Sequence, residues 1–303
     1  EAGKVLRAAL DAGITHFDTA ALYGFGQSET WVGEFLSAHR NEFTLASKCG
    51  MQGVDVDGSG KKVRVIDGRP ETIKKTCEDA LRRLKTDVID LYYLHRWDKQ
   101  VPIEESVGGL ADLVSAGKIR AIGLSEVSSE TLRKAHAVHP ITAVQTEYSL
   151  WTRNPEISVD ATCRELGVAL VAFSPVARGF LADSVRTADQ FGPKDIRRGM
   201  PRFQPDNLEK NLALLPRYNA IAAEVGCTPA QLAIAWLLHQ GAHIHPIPGT
   251  TRVAHVHENA RADEVHLRAD VLSRLDSLIN QSTVTGNRYD AQAQSEVDTE
   301  FFA

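Results

Sequence analysis

Short runs of apolar and β-branched residues alternate along this chain with longer segments in which apolar residues recur every three or four positions. The short runs predict seven strands: Ile14 to Asp18, Thr44 to Lys48, Val88 to His95, Ile119 to Ser125, Ala143 to Glu147, Leu170 to Phe173 and Ile244 to Ile247. Strands that alternate with helices indicate a parallel sheet with crossover helices.

The helical segments carry their own boundary signals. The segment from Pro70 to Leu84 has one apolar stripe and begins with a proline suited to the first helical turn. The segment from Pro229 to His239 follows a capping box formed by Thr228 and Gln231, and Gly241 comes after its end. This second helix is apolar on all sides, so we expect it to be buried.

The chain opens inside a helical pattern, with Val5, Leu6 and Ala9 at helical spacing and Gly13 as the expected stop. One strand before this helix would raise the number of strands to eight, as in a (β/α)8 TIM barrel. We therefore expect the N-terminal strand to be missing from this sequence. Barrels of this length routinely form one unit, so residues 1–303 are predicted to be a single domain.

Three segments lack periodicity: Met51 to Arg69, Ala182 to Asn207, and the C-terminal loop or tail from Gly286 to Ala303. Loops at the carboxyl ends of barrel strands form the rim of the active site. Insertions at those positions would shape a substrate pocket; the alternative is that they are mobile surface loops.

Composition narrows the class of protein. An apolar fraction of 43% with 24% charged residues is typical of a globular domain, and a net charge of −5 without a basic stripe disfavours nucleic acid as a partner. The four cysteines are far apart and suit a reducing compartment. No run of about 18 apolar residues and no signal-peptide pattern occurs, so we expect a cytoplasmic protein with a small-molecule partner.

Polar residues stand where four of the apolar runs end: Asp18, Lys48, His95 and Ser125. Each of them alone could be a turn cap, a rim residue or a satisfied core residue. Strand ends converge on one mouth in a barrel, however, and four unpaired polar groups would be costly in a core. Together they predict a site.

Tyr23 follows Asp18 by five residues, in a loop that Gly24 and Gly26 allow to bend sharply. A phenol with a pKa near 10 is a weak acid, but a neighbouring cation lowers that value by about 1 to 3 pH units. Lys48 is the candidate cation, Asp18 would keep it charged, and His95 would bind a carbonyl oxygen.

The stretches FDTAALYG, ASKCG, DLYYLHR and GKIRAIGLSE resemble the successive motifs of the aldo-keto reductase superfamily, and the similarity continues almost to the C-terminus. The resemblance implies a (β/α)8 barrel and a tetrad of Asp18, Tyr23, Lys48 and His95, with the tyrosine as general acid. It implies NADPH-dependent reduction of an aldehyde or ketone. The stretches GLSEVS and TEYSLW look most like bacterial broad-range members.

No Rossmann fingerprint is present, because Glu29 stands where the third glycine would follow Gly24 and Gly26. The resemblance implies instead a dinucleotide extended across the barrel mouth. Ser125 and Gln145 match the residues that bind the carboxamide of the nicotinamide, and Phe173 matches the aromatic ring that stacks on the nicotinamide. Glu126 stands where many members have Asn, which removes an amide donor. The residues that match the pyrophosphate loop are Ser174, Pro175, Val176, Gly179 and Leu181.

The turn after the last strand, formed by Gly249, Thr250 and Thr251, opens a helix whose first N–H groups suit a phosphate. Arg252 supplies a guanidinium for a 2′-phosphate, which favours NADPH over NADH. By the same resemblance, the ribose and adenine neighbours are His255, Glu258 and Asn259, with His255 in place of the Arg or Gln of other members.

Other functions stay open at this point. The pairs His243/His245 and His255/His257 are the one hint of a metal-dependent hydrolase, and no carboxylate cluster supports them. Potassium-channel β subunits share the resemblance, so an NADPH-binding regulatory subunit with little turnover is the alternative function. Trp97, Tyr148 and Trp151 are the candidate lining of an aromatic substrate pocket; the alternative is that they are core residues. The expected assembly is a monomer or a loose homo-oligomer.

Overall fold

Seven parallel strands form the main sheet of the computed structural model, which describes residues 1–302. In chain order the strands are β1 (His16–Asp18), β2 (Thr44–Cys49), β3 (Met51–Asp55), β4 (Lys62–Ile66), β5 (Ile89–Leu94), β6 (Ile119–Ser125), β7 (Ile141–Glu147), β8 (Ala169–Phe173) and β9 (Ile244–Ile247). The sheet order is β1-β2-β5-β6-β7-β8-β9, and β3 and β4 form a separate antiparallel hairpin. The seven predicted strands are confirmed.

Helices connect the strands on the outside of the sheet. They are α1 (Ala2–Asp11), α2 (Gln27–Leu36), α3 (Pro70–Leu84), α4 (Ile103–Ser115), α5 (Ser129–Val138), α6 (Val159–Leu166), α7 (Pro205–Leu212), α8 (Leu215–Val225), α9 (Pro229–Leu238), α10 (Val253–Ala260), α11 (Ala269–Leu278) and α12 (Ala291–Ser295). The capping box of α9 has both of its hydrogen bonds, at 3.0 and 3.2 Å. Its apolar residues from Ala230 to Leu237 are buried, as predicted, whereas Leu238 at its end is 39% exposed.

One long-range hydrogen bond shows how strongly the sheet curves. Asp18 in β1 and Gln145 in β7 are four strand positions apart, which in a flat sheet would separate them by roughly 19 Å. Their side chains are joined by a 2.8 Å hydrogen bond. The sheet is therefore rolled into a nearly closed (β/α)8-type barrel with β1 and β9 as its edges. The strand expected before α1 stays a prediction.

Side chains alternate between the inside and the outside of the barrel. The outward residues pack against the helices; examples are Leu45, Tyr92, Leu124, Val144 and Leu170. The inward residues form a second, smaller core made of Ala46, Leu91, Tyr93, Ala143 and Val171. Side chains two positions further along these strands also point inward, and they lie at the mouth of the barrel. These residues are Lys48, His95, Gln145 and Phe173.

The three aperiodic segments are structured. The first contains the β3–β4 hairpin, the second a series of short 3-10 helices before α7, and the third contains α12. The hairpin and the third segment are joined at the rim by an ion pair of 2.6 Å between Arg64 and Glu296. In the third segment, Arg288 is only 4% exposed. Part of this tail is therefore built into the barrel mouth.

Within residues 1–302, no single helix is long and apolar enough to cross a membrane. Pro205–Val225 and Pro229–Leu238 reach the necessary length and hydropathy only as a pair bent by 78°. In the same part of the chain, no three His, Cys, Asp or Glu side chains are grouped closely enough to share a metal ion.

Gly33 lies where α2 and α3 approach each other closely, and this contact yields the first prediction. A Cβ added to this α2 residue would lie 2.2 Å from the Arg83 carbonyl oxygen of α3. Gly33→Ala is therefore expected to lower the free energy of unfolding by about 1–3 kcal/mol, since backbone must move to admit the methyl group. Urea unfolding followed by circular dichroism measures this change.

Gly108→Ala is the matched control, because a Cβ on this α4 residue would have no neighbour within 4 Å. Here alanine is expected to raise stability by up to about 1 kcal/mol through its helix propensity. Equal effects of the two substitutions would contradict the close approach of α2 and α3.

Candidate active site

Four side chains from three strand ends and one loop meet at the carboxyl end of the barrel. Lys48 Nζ donates hydrogen bonds to the Asp18 carboxylate, to the Thr19 carbonyl at 3.0 Å and to the Tyr23 hydroxyl oxygen at 3.3 Å. The Tyr23 and His95 rings meet edge to face, with their centroids 5.7 Å apart. The structure thus brings the four predicted tetrad residues together.

The Lys48 ammonium is entirely buried. Burial alone would lower the pKa of Lys48, but the Asp18 carboxylate and the Tyr23 hydroxyl outweigh it and hold that pKa above its ordinary value. An ammonium has three N–H donors, and these three contacts use them all. The Tyr23 oxygen accepts one of them, so the phenol keeps its own hydrogen for another acceptor. Tyr23 is 39% exposed, so that acceptor can come from solution.

His95 is a buried imidazole beside this tyrosine. Burial holds the pKa of His95 well below its usual range, and the charges of Lys48 and Arg96 lower it further. The ring is therefore neutral near pH 7 and has one N–H donor. Its Nδ1 atom is buried without a hydrogen-bond partner among residues 1–302. The other ring nitrogen, Nε2, is not among the fully buried unpartnered atoms and makes no hydrogen bond within residues 1–302, so it can bind an oxygen atom seated against Tyr23.

The predicted nicotinamide ligands lie next to each other across β6 and β7. Ser125 is paired in register with Gln145, and both are buried. Gln145 Nε2 donates to the second Asp18 oxygen at 2.8 Å. The Ser125 hydroxyl accepts from Arg96 at 3.3 Å. Phe173 ends β8 and is only partly buried, so its ring remains open to a partner.

Glu126 is committed to contacts within the protein. Its carboxylate accepts from the Thr146 hydroxyl at 3.0 Å and the Glu147 amide at 2.9 Å, and it forms an ion pair with Arg288. The Glu126 backbone has a φ of 57°, an uncommon value for a residue other than glycine. Sequence reasoning missed Arg288, which lies 162 residues away in a segment without periodicity. A glutamate in place of the family's Asn was the only available signal.

A second buried carboxylate, Glu147, extends this cluster. It accepts from Arg178 at 3.0 Å and from the Tyr289 hydroxyl at 3.3 Å. Burial by itself would raise the pKa of Glu147, but nearby guanidinium groups, above all that of Arg178, hold it below its usual value. Burial lowers the pKa of Arg202, the third arginine of the cluster, to about 10. Three arginines thus surround two glutamates and leave one excess positive charge at the mouth.

The loop after β8 has an unusual backbone. Ser174, Ala177 and Arg178 all have positive φ between 50° and 55°, where side chains other than glycine are uncommon. The N–H groups of Gly179 and Leu181 donate to the Val176 carbonyl at 3.0 and 3.2 Å. These two N–H groups are therefore already used within the loop. The buried Arg178 Nε has no hydrogen-bond partner in the described chain and offers a donor that the sequence did not predict.

The turn before α10 has the predicted form. Arg252 is the N-cap residue of α10, and its amide donates to the Thr250 hydroxyl at 3.1 Å. A Cβ added to Gly249 would meet nothing within 4 Å, so the space beside the turn is open. Thr251 and the Arg252 side chain are exposed. On α10 itself lie His255, Glu258 and Asn259. An exposed guanidinium beside an open helix N-terminus suits a phosphate.

The three candidate pocket aromatics occupy different environments. Trp151 is 4% exposed and stacks on Phe180, with ring centroids 4.1 Å apart. Tyr148 is 2% exposed, donates to Glu156 and packs on Trp236 of α9. Both rings are thus embedded in the interior. Trp97 is only partly buried, with its indole N–H donated to the Val101 carbonyl at 2.8 Å.

The Glu126–Arg288 pair yields a second prediction. Arg288→Met is expected to lower the free energy of unfolding by about 3–5 kcal/mol, because it leaves a buried carboxylate without its counter-charge. Glu126→Gln combined with Arg288→Met is expected to recover part of that loss, since position 126 then carries no buried charge that lacks its partner. Urea titrations of the wild type and the variants measure both effects. A loss below 1 kcal/mol in Arg288→Met would contradict a buried ion pair.

Comparison with known proteins finds one family over nearly the whole chain. The model of the Aldo/keto reductase family matches residues 1–280. Glycerol dehydrogenase from Gluconobacter oxydans is 30% identical, with a TM-score of 0.86 over 99% of this chain and 88% of that chain. An aldo-keto reductase from Klebsiella pneumoniae in complex with NADPH is 27% identical, with a TM-score of 0.70 over 95% and 87% of the two chains. A holo aldo-keto reductase from Bacillus halodurans is 26% identical, with a TM-score of 0.72 over 92% and 87%. The chain therefore belongs to the aldo/keto reductase family, and it is an oxidoreductase.

Proposed function

We propose that this protein reduces a small aldehyde or ketone to its alcohol with NADPH, and that Tyr23 donates the proton. One observation carries the proposal: all three N–H groups of the buried Lys48 ammonium donate hydrogen bonds, and one of these goes to the Tyr23 oxygen. A cation at that oxygen stabilises the negative charge that develops when the proton leaves. Asp18 keeps the ammonium charged and fixed in position.

The substrate carbonyl oxygen would lie between Tyr23 and His95. Tyr23 donates its hydroxyl hydrogen to that oxygen, and neutral His95 donates an N–H to it. Both contacts strengthen as the oxygen gains charge, so they favour the transition state over the bound substrate. Because Lys48 is held by three acceptors, its position needs no change during the proton transfer.

The residues present fit a nicotinamide dinucleotide. Gln145 and Phe173 would hold the nicotinamide, and the buried, unpartnered Arg178 Nε and the excess cationic charge suit its pyrophosphate. Arg252 at the N-terminus of α10 would bind the 2′-phosphate, which favours NADPH over NADH. When bound, the cofactor supplies hydride to the carbonyl carbon.

The reverse reaction is the second candidate function. The neighbour from Gluconobacter oxydans is named a glycerol dehydrogenase, which favours oxidation of a small alcohol by the same site. In that direction the Tyr23 phenolate, stabilised by Lys48, would take up the alcohol proton, and the hydride from the carbinol carbon would pass to NADP⁺. We also propose a cytosolic location, which four unpaired cysteines suit.

Tyr23→Phe tests the proton donor. The variant is expected to lose carbonyl reduction by a factor of roughly 10²–10⁴, because it keeps the ring but loses the acid. NADPH binding, measured by fluorescence titration, is expected to stay near the wild-type value. Steady-state NADPH consumption with a panel of small aldehydes and ketones measures turnover. Full turnover in the variant would sink the assignment.

The lowered pKa of His95 gives a pH prediction. Because the ring is neutral throughout, kcat for reduction is expected to show no limb from His95 between about pH 5.5 and 7.5, the region where an ordinary histidine titrates. The kcat profile of the wild type measures this. An acid limb near pH 6.5 that vanishes in His95→Gln would contradict it.

A further inference from the structure

Gln145 connects the nicotinamide ligands to the proton donor. Its Nε2 lies 2.8 Å from an Asp18 oxygen, and the other Asp18 oxygen binds Lys48, which binds Tyr23. A carboxylate only accepts hydrogen bonds, so the atom that faces Asp18 must be the amide nitrogen. The Gln145 oxygen is then turned away from Asp18 and is free to accept from a carboxamide N–H.

We propose that Gln145 is a positioning residue for the tetrad, in addition to its expected contact with the cofactor. Its amide holds the Asp18 carboxylate in the orientation that anchors Lys48 against Tyr23. One side chain then connects the place where hydride is held to the place where the proton is given. The inference rests on the proposed function and deepens it.

The position of this contact supports such a role. Asp18 lies in the edge strand β1, whereas Gln145 lies in β7 on the opposite wall, four strand positions away. Gln145 is 3% exposed. The hydrogen bond therefore spans the barrel interior, where little water competes for the carboxylate. Without it, Asp18 would keep Lys48 as the partner of one oxygen and lose the donor to the other.

Other ionisable groups face Asp18 and matter for a test by pH. Lys48 comes from β2, Tyr93 from β5, Tyr23 from the loop after β1, and His16 from β1 itself. Burial raises the pKa of Tyr93 well above its usual range and lowers that of His16, while the pKa of Lys48 is above its ordinary value. None of these three is therefore expected to titrate between about pH 6.5 and 8.

The Gln145→Glu variant tests the inference, because the carboxyl group introduced at position 145 can donate a hydrogen bond to Asp18 only while it is protonated. When two carboxyl groups share one proton at this distance, the pKa for the loss of that shared proton is raised above the usual range of a carboxyl group. At saturating NADPH and substrate, kcat of the variant is expected to approach the wild-type value near pH 5.5. It is expected to fall about tenfold for each pH unit above the apparent pKa of the pair. Gln145→Met, which lacks the donor at every pH, is expected to lower kcat roughly 10- to 100-fold without that slope.

Two measurements keep the test independent of folding and of cofactor affinity. Fluorescence titration gives the NADPH Kd of each variant, so a loss of binding is separated from a loss of kcat. Urea midpoints of Gln145→Glu are expected to fall between pH 5.5 and 8 more steeply than those of the wild type, because a buried carboxyl pair loses its shared proton. Gln281→Glu, at an exposed position, adds the same charge and is the matched control.

The outcomes are distinguishable. Wild-type turnover combined with a kcat slope in Gln145→Glu, and no slope in Gln281→Glu, supports the positioning role. If Gln145→Glu and Gln145→Met change only the NADPH Kd, with kcat profiles parallel to that of the wild type, the positioning role is wrong and the proposed function stands. Absence of carbonyl reduction in the wild type overturns both.

Discussion

The site depends on one buried ammonium. Lys48 has no exposed surface, and an unpaired charge at such a position would cost several kcal/mol. The charge is tolerated because Asp18 provides a counter-ion and because the Thr19 carbonyl and the Tyr23 oxygen use the remaining N–H groups. The barrel must bring the ends of β1 and β2 side by side for this to happen. Because the Tyr23 oxygen accepts one of the Lys48 N–H groups, the same arrangement also fixes the position of Tyr23.

The C-terminal segment takes part in the barrel mouth. Arg288 neutralises Glu126 at the end of β6, while Tyr289 and Arg178 share Glu147 at the end of β7. These contacts join the tail, the sheet and the loop after β8 into one buried ionic cluster. The excess of arginine over glutamate gives the cluster a positive charge. Such a charge suits the phosphates of a dinucleotide better than a neutral loop would.

Backbone strain is concentrated in the same region. Residues other than glycine with positive φ occur at Phe25, Glu126, Ser174, Ala177, Arg178 and Asp183, all in loops that follow barrel strands, and at the helix end at Lys85. A left-handed conformation of this kind costs of order 1–3 kcal/mol and persists only where the surroundings hold it. For Glu126 and Arg178, the buried ionic cluster that they form with Glu147 and Arg288 supplies those surroundings. Its location agrees with a mouth shaped for ligand binding and not for maximal stability.

Much of the fold of this protein could be predicted from its sequence alone. Strand periodicity predicted the seven strands of the main sheet, and α3 and α9 were predicted from stripes and caps, because these signals act between residues a few positions apart. The strand-end positions of Asp18, Lys48 and His95 indicated a site, but the tetrad with Tyr23 as its acid came from the resemblance to the family's motifs. Only the tertiary structure decided the partners of Glu126 and Gln145, which are 162 and 127 residues away in the chain. A hydrogen bond across a barrel depends on how the sheet closes, and no local pattern records that closure.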